Sequence, residues 1–304
     1  MSPKGLFLNM KTVCVIGSGT MGNGIAHTFA QFGCTVHLVD IRQDALQRAV
    51  QTIEKNLERQ AQKGSIHAAL KSETLARITT FTELEKACAT ADIVIEAASE
   101  QLQIKTQIFK DLDAICKPGT ILATNTSSIS ITQLAAATNR PQDVIGMHFM
   151  NPVPVMKLVE VIRGYKTSDA TCNAVMELSK HLHKIPVEVR DYPGFVANKI
   201  LMPMINEAVY TLQEGVAGVT EIDTVMKLGM AHPMGPLQLA DFIGLDVCLS
   251  ILEVLQKGYG QPKYAPCPLL VNMVRAGHLG VKSGMGFYEY KPGIKELKVS
   301  PFIH

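Results

Sequence analysis

The chain has 304 residues, of which 47% are hydrophobic and 18% charged, which suffices for one or two cores and excludes a disordered chain. Its 29 basic and 27 acidic residues are scattered and give a formal charge of +2, which argues against nucleic acid as a partner. Seven widely spaced cysteines, with no CxxC pair, are typical of reduced, buried thiols. Residues 1–10 lack the features of a signal or transit peptide, and no apolar run approaches a membrane span, so we expect a cytoplasmic protein that does not bind membranes.

The first part of the sequence predicts a βαβ unit. Residues 11–16 form a short apolar, β-branched run that meets a glycine cluster, and residues 25–32 then carry apolar side chains at helical spacing. A second strand over residues 35–39 ends at Asp40. A long charged helix is predicted over residues 44–62.

Further strands alternate with helical stretches. This alternation predicts an α/β fold with a Rossmann-like, doubly wound, mostly parallel sheet and helices on both faces. A helix is expected over residues 169–183. The further strands are predicted at residues 92–97, 120–123, 144–149, 157–162 and 187–190.

The texture of the sequence changes beyond Asp191, where Pro193 and Gly194 break the chain. We therefore predict a dinucleotide-binding domain over residues 1–191 and a smaller, all-helical substrate and dimerisation domain over residues 192–304. A small helical domain is stabilised when its apolar faces pack against another copy, so we expect a homodimer. Its helices are predicted at residues 195–212, 220–228, 235–259 and 268–276.

The glycine cluster GSGTMG at residues 17–22 fits the GxGxxG pattern of dinucleotide-binding proteins. It follows a predicted strand and opens a predicted helix, where free N–H groups bind a pyrophosphate. Asp40 is placed to accept hydrogen bonds from ribose hydroxyls and to repel a 2′-phosphate, which favours NAD, while nearby Arg42 leaves NADP open. The predicted cofactor contacts of the cluster are Gly17, Gly19, Met21 and Gly22.

A nicotinamide enzyme that acts on an alcohol needs a proton acceptor, and histidine is suited to this role because its pKa lies near neutrality. His148 ends the predicted strand VIGMHF, at the edge where doubly wound sheets bind ligands. Glu160, in the adjoining strand, can return to this edge and hold the second imidazole nitrogen. Taken alone, each residue is more often structural.

Together these segments resemble the 3-hydroxyacyl-CoA dehydrogenase family, and most closely its stand-alone bacterial branch. The resemblance implies hydride transfer between NAD and the C3 carbon of an (S)-3-hydroxyacyl-CoA, with a short chain such as 3-hydroxybutyryl-CoA, and no metal. The segments that carry it span nearly the whole chain and are VCVIGSGTMGNGIA, IEAASEQLQIK, ATNTSSISI, GMHFMNPVPVMKLVEVI, PGFVANKIL and HPMGPLQLADFIGLD.

The resemblance also implies roles for single residues. It makes His148 the catalytic base and Glu160 its paired acid, with Ser127 and Asn198 holding the substrate's 3-oxygen. Alternatively, Ser127 makes only turn hydrogen bonds and Asn198 is an exposed helix position. The remaining implied contacts are Glu100, Lys105, Asn151 and Lys282 with the cofactor, and Asn56, Lys63 and Ser127 with CoA.

The implied cofactor contacts of Lys105 and Lys282 have weaker support than the others. Lys105 is alternatively one charge on a solvated face. Asn56 stands where some family members have serine, a difference that keeps hydrogen bonding possible. Two other functions also stay open. One is a sugar-acid 3-dehydrogenase of the same superfamily, whose members tend to carry proline after the catalytic histidine, where this chain has Phe149. The other is a cofactor-bound structural protein without turnover.

Overall fold

The computed structural model describes residues 10–291, 293 and 296–302. The segment before Met10, for which the sequence predicts no signal peptide, lies outside the described residues. Contacts divide the chain into two compact units, residues 1–192 and 193–304, and each unit has its own core.

Within the described residues of the first unit, one sheet contains eight strands in the order β3-β2-β1-β4-β5-β6-β7-β8. Strands β1 to β6 are parallel, β7 is antiparallel to β6, and β8 is parallel to β7. The strands are β1 (Thr12–Ile16), β2 (Thr35–Val39), β3 (Ile78–Phe81), β4 (Ile93–Glu96), β5 (Ile121–Thr124), β6 (Val144–Phe149), β7 (Leu158–Arg163) and β8 (Ile185–Arg190).

Helices connect these strands. Helix α2 shows why they pack on the sheet, because its buried residues Leu46, Ala49, Ile53 and Leu57 recur at helical spacing and form one apolar stripe. The helices are α1 (Thr20–Gln31), α2 (Gln43–Gln62), α3 (Ala68–Ala76), α4 (Leu84–Cys88), α5 (Leu102–Ile115), α6 (Ile131–Ala135) and α7 (Asp169–His181).

The order of the first six strands places a topological switch at β1, whose neighbours β2 and β4 lie on opposite sides. In doubly wound sheets, ligands bind at the carboxyl ends of the strands around this point. The carboxyl ends of β1, β2, β4, β5 and β6 share one edge with the amino end of antiparallel β7. The predicted Rossmann-like, mostly parallel sheet is confirmed.

The second unit is mainly helical. Its helices are α8 (Ala197–Gln213), α9 (Val219–Thr224), α10 (Pro236–Ile243), α11 (Leu245–Tyr259) and α12 (Pro268–Arg275). A π-helical turn at Val225–Gly229 extends α9, and short 3-10 turns lie at Pro262–Tyr264 and Val281–Ser283.

The structure differs from the sequence analysis in three places. The sequence does not predict the strand β3, because its segment ITTF is short and lies at the edge of the sheet, where it is only half buried. The single helix predicted over residues 235–259 is two helices, since Gly244 between them has φ +104, which no helix accommodates. The all-helical second domain contains an antiparallel pair of two-residue strands, β9 (Tyr288–Glu289) and β10 (Lys298–Val299).

Candidate active site

In the glycine loop between β1 and α1, two glycines let backbone segments of the protein approach each other closely. Gly17 has φ +95, and a Cβ atom there would lie 2.5 Å from the carbonyl oxygen of Ala97. A Cβ on Gly22 would lie 1.7 Å from the carbonyl oxygen of Gly17. The protein's own packing therefore requires glycine at both positions.

Gly19 differs from these two glycines. A Cβ atom on Gly19 would meet nothing within 4 Å among the described residues, so the protein's packing does not require glycine here. Gly19 is the N-cap residue of α1, and its missing side chain leaves open space in front of the helix N-terminus. The backbone N–H groups and helix dipole there attract an anion, and this cradle fits the pyrophosphate of a dinucleotide.

Asp40 ends β2 beside the same loop. Its Oδ2 atom accepts hydrogen bonds from the Ser18 amide (2.9 Å) and hydroxyl (2.6 Å), and its Oδ1 atom accepts one from the Arg42 amide (3.1 Å). Partial burial alone would raise the pKa of Asp40, but these hydrogen bonds and the charge of Arg42 hold it below its usual value. The carboxylate is therefore ionised and fixed where a ribose is expected.

A histidine and a carboxylate face each other across β6 and β7. The antiparallel register pairs His148 with Glu160, and the His148 Nδ1 atom lies 2.8 Å from Glu160 Oε2. The His148 side chain is 10% exposed and that of Glu160 is 3% exposed. A carboxylate only accepts hydrogen bonds, so Nδ1 carries the proton in this contact.

The loops after β4 and β5 hold a second group of charges. Lys105, at the start of α5, is 1% exposed, and its Nζ atom lies 2.7 Å from Glu96 Oε1 and 3.2 Å from Glu100 Oε2. The alternative that Lys105 lies on a solvated face is therefore wrong. Burial alone would raise the pKa of Glu100, but the charge of Lys105 and the hydroxyl groups of Thr126 and Ser128 hold it below its usual value.

Ser127 lies in the loop after β5. Glu100 Oε1 accepts hydrogen bonds from the Ser127 amide (3.0 Å) and hydroxyl (3.4 Å), which join two loops and are not the local turn hydrogen bonds of the alternative. This loop is tied to β6, because Asn125 Oδ1 accepts a hydrogen bond from the Phe149 amide (2.9 Å). The structure thus brings Ser127, Glu100, Lys105 and the His148 strand to the carboxyl edge of the sheet.

The other implied contacts are dispersed. Asn151 is exposed just after β6, half-buried Asn56 lies on α2, and exposed Lys63 caps that helix about two turns later. In the second unit, Asn198 is buried in the first turn of α8, so the alternative of an exposed position is wrong. Lys282, also in the second unit, forms an ion pair with Asp246.

Sequence reasoning missed two features of this edge. One is Glu96, which ends β4 and is fully buried, and the other is Thr124, which donates a hydrogen bond to it at 2.7 Å. A charged residue inside the apolar strand DIVIEA was a usable signal, because a buried carboxylate requires a partner.

Within the part of the chain that the structure describes, no helix is long and apolar enough to cross a membrane. The same residues contain no cluster of three or more His, Cys, Asp or Glu side chains arranged to hold a metal ion.

A Rossmann-like sheet with a glycine cradle, an ionised Asp40 and a His148–Glu160 pair at one edge defines the class of dinucleotide-dependent dehydrogenases.

Comparisons with known proteins identify the family. Residues 12–192 match the model of the 3-hydroxyacyl-CoA dehydrogenase NAD binding domain, and residues 194–290 match that of the 3-hydroxyacyl-CoA dehydrogenase C-terminal domain. The chain belongs to the 3-hydroxyacyl-CoA dehydrogenase family.

Several relatives are similar over nearly their whole length. A Bacillus subtilis protein named probable 3-hydroxybutyryl-CoA dehydrogenase is 56% identical over 93% of this chain and 99% of its own. A 3-hydroxybutyryl-CoA dehydrogenase of Bradyrhizobium diazoefficiens is 53% identical over 93% of this chain and 96% of its own. The crystal structure of (S)-3-hydroxybutyryl-CoA dehydrogenase from Ralstonia eutropha, 51% identical, has a TM-score of 0.90 and covers 93% of this chain and 100% of that chain.

Proposed function

We propose that this protein interconverts (S)-3-hydroxyacyl-CoA and 3-oxoacyl-CoA with NAD, and that its substrate has a short chain, as in 3-hydroxybutyryl-CoA. The observation that carries the proposal is the His148–Glu160 pair, joined at 2.8 Å at the carboxyl edge of the sheet. The relatives named 3-hydroxybutyryl-CoA dehydrogenase support the substrate.

His148 takes the proton of the substrate's 3-hydroxyl group on oxidation and returns it on reduction. Glu160 keeps the imidazole oriented and stabilises the imidazolium that forms, since it accepts the Nδ1 proton. Ser127 and Asn198 bind the oxygen on which negative charge develops. A bound nicotinamide cofactor would accept the hydride from C3 as NAD on oxidation and would supply it as NADH on reduction.

Apart from Lys282 of the second unit, the residues proposed to hold NAD lie around the glycine loop and the neighbouring strand ends of the first unit. Asp40 binds the ribose hydroxyls and disfavours a 2′-phosphate, while the cradle at Gly19 receives the pyrophosphate. Asn56 and Lys63 bind the CoA moiety, whose phosphates favour a basic side chain. The remaining proposed cofactor contacts are Gly17, Met21, Gly22, Glu100, Lys105, Asn151 and Lys282.

The proposed domain roles follow the same division of the chain. Residues 1–191 bind NAD, and residues 192–304 bind substrate and form a homodimer. Exposed apolar side chains in the second unit support the homodimer, among them Leu228 (81% exposed), Met230 (60%) and Phe242 (54%). Light scattering after size-exclusion chromatography tests it, and a monomer mass would contradict it.

We place the protein in the cytoplasm. All seven cysteines are free and buried, which fits a compartment where thiols stay reduced. Fractionation of the source cells tests this placement, and recovery of the protein from an oxidising compartment would contradict it.

The decisive experiment measures the oxidation of NADH, by the loss of its absorbance, with acetoacetyl-CoA as the substrate. Parallel reactions replace NADH by NADPH and the CoA ester by free acetoacetate. Rapid oxidation that requires both NADH and the CoA ester is the expected result. Turnover of a free sugar acid instead, or no turnover with acetoacetyl-CoA and a longer 3-oxoacyl-CoA, would favour one of the two alternative functions.

A further inference from the structure

Glu96 lies at the centre of a buried network, and the proposed function gives Glu96 no role. Its side chain is 0% exposed and that of Lys105 is 1% exposed. Glu96 Oε1 accepts hydrogen bonds from Lys105 Nζ (2.7 Å) and the Ala98 amide (2.6 Å). Oε2 accepts from Lys105 Nζ (2.9 Å) and Thr124 Oγ1 (2.7 Å). The carboxylate of Glu96 is therefore satisfied on both oxygens.

Lys105 connects this carboxylate to Glu100, whose Oε2 atom lies 3.2 Å from Nζ. The other carboxylate oxygen of Glu100, Oε1, holds the loop after β5 in place, since it accepts hydrogen bonds from the amides of Ser127 (3.0 Å) and Ser128 (3.2 Å). The hydroxyl groups of Thr126 and Ser128 donate to the same oxygen. One carboxylate oxygen thus fixes three consecutive residues, including Ser127.

Stability alone does not account for this arrangement. Replacing a buried ion pair by apolar side chains of similar volume is often neutral or stabilising, so Glu96 and Lys105 are not explained as an anchor of the fold. Without the charge of Glu96, the buried ammonium group of Lys105 keeps Glu100 as its carboxylate partner. The attraction then draws Glu100 towards Lys105 and away from the amides of Ser127 and Ser128.

We propose that Glu96 is a positioning residue for the reaction, which acts through Lys105 and Glu100 to fix the loop at residues 126–128 and thereby Ser127. This inference rests on the proposed function, in which Ser127 binds the 3-oxygen of the substrate. It assigns Glu96 no contact with substrate or cofactor.

The test is a double-mutant cycle on acetoacetyl-CoA reduction with the variants Glu96→Gln, Ser127→Ala and their combination. We expect Glu96→Gln to lower kcat on the order of 10- to 100-fold, since a small misplacement of a binding group has that effect. If Glu96 acts through Ser127, the double variant is no more than about twofold slower than the slower single variant. Multiplicative effects of the two substitutions, or wild-type kcat in Glu96→Gln, would overturn the proposal.

The matched control is Asp113→Asn. Asp113 pairs with Arg140 at 2.9 Å, and both side chains are largely buried near the opposite edge of the sheet, before β6 begins. This variant is expected to unfold at a lower temperature and to keep wild-type kcat. A loss of kcat in both variants would indicate that any damaged ion pair lowers activity, which would contradict a specific role of Glu96.

Hydrogen exchange gives a readout that is independent of turnover. In Glu96→Gln, the amides of Ser127 and Ser128 are expected to exchange at least about tenfold faster, and in Asp113→Asn they are expected to exchange at the wild-type rate. An inactive wild-type protein would contradict the proposed function, whereas unchanged exchange at these two amides would contradict the role of Glu96.

If Glu96→Gln does not fold, Thr124→Val replaces it in the cycle and in the exchange experiment. This substitution keeps the volume and all charges, and it removes the hydroxyl group that donates to Glu96 and accepts from the Thr126 amide (3.2 Å). We expect a several-fold loss of kcat that is absent in the Ser127→Ala background. Wild-type kcat in Thr124→Val, or an equal loss in that background, would overturn the proposal.

Discussion

Both units of the molecule bury carboxylates, and the partners of those carboxylates differ. In the first unit, Glu160 is paired with His148 and Glu96 is paired with Lys105, so each carboxylate faces a group that carries or accepts a positive charge. In the second unit, Asp241 accepts hydrogen bonds from the amides of Phe287 (2.9 Å) and Tyr288 (3.0 Å) and from the Tyr290 hydroxyl.

Asp223 has neutral donors as well. It accepts from the amides of Leu237 (2.9 Å) and Gln238 (3.0 Å), which open α10, and from the Tyr288 hydroxyl (2.8 Å). Neutral donors hold a chain segment in place but exchange no proton near neutral pH. Changes to Glu160 and Glu96 should therefore alter catalysis more than stability, and changes to Asp223 and Asp241 should do the opposite.

The largest effect is expected for His148→Gln. Glutamine keeps a polar side chain but does not act as a base, so kcat should fall on the order of 10³- to 10⁴-fold, while the melting temperature stays near the wild-type value. Steady-state reduction of acetoacetyl-CoA, with thermal unfolding by circular dichroism, measures both. The control His67→Gln changes an exposed histidine before α3 and should leave kcat unaltered. A variant of His148 with near-normal turnover would remove it from the mechanism.

Glu160→Gln should have the second largest effect. The amide keeps the shape of the side chain but no longer stabilises an imidazolium, so we expect kcat to fall on the order of 10²- to 10³-fold with NADH affinity unchanged. Fluorescence titration of NADH separates binding from turnover. Glu188→Gln, on neighbouring β8 and exposed, is the control. An equal loss in both variants would mean that the pairing with His148 is not what matters.

The sequence predicts the first unit better than the second for a physical reason. Strands such as β1 and β6 are buried on both faces and read as continuous apolar runs, so their positions follow from hydropathy alone. The break at Gly244 is different, because it requires φ +104 within an otherwise helical pattern, and a glycine in a sequence does not reveal its φ. The strands β9 and β10 have two residues each, which is too few for a period to be detected.

The same contrast applies to the site. The sequence predicts that His148 pairs with Glu160, because both lie at strand ends that meet at one edge, and the observed register places them opposite each other. The sequence does not predict that Lys105 pairs with Glu96. The burial of Lys105 depends on this tertiary contact between residues nine positions apart, which brings Glu96 to the first turn of α5. The roles of both pairs in catalysis remain predictions that the variants above test.

Asp241→Asn tests the second unit. Burial raises the pKa of Asp241 to about 6, and the charge of Asp223 acts in the same direction against weaker opposing hydrogen bonds. Because the folded pKa exceeds the unfolded value, the stability that this group contributes is present below about pH 4 and is lost as the pH rises through about 6. The variant lacks this dependence, so its unfolding free energy relative to wild type should rise by about 2 kcal/mol between roughly pH 4 and 7.

Urea unfolding at several pH values measures this difference, and kcat should stay at the wild-type value. Comparing each variant with wild type at the same pH cancels the contribution of other groups, such as Glu100, whose lowered pKa acts in the opposite direction. A flat difference across this range would show that Asp241 titrates normally. A fall in kcat would break the division between the two units.

Asp40→Asn should have the smallest effect and tests whether a charge at the sheet edge selects the cofactor. Ser18 holds the carboxylate with two hydrogen bonds, and asparagine retains the shape but not the charge. We expect KM for NADH to rise several-fold and the preference for NADH over NADPH to fall about tenfold, because the repulsion of a 2′-phosphate is removed while Arg42 remains nearby. The ratio of kcat/KM values for the two cofactors is the measurement, and Asp44→Asn, on the exposed first turn of α2, is the control. An unchanged ratio would mean that the discrimination comes from the backbone of the loop, and that charge at this edge acts only at the reacting end of the site.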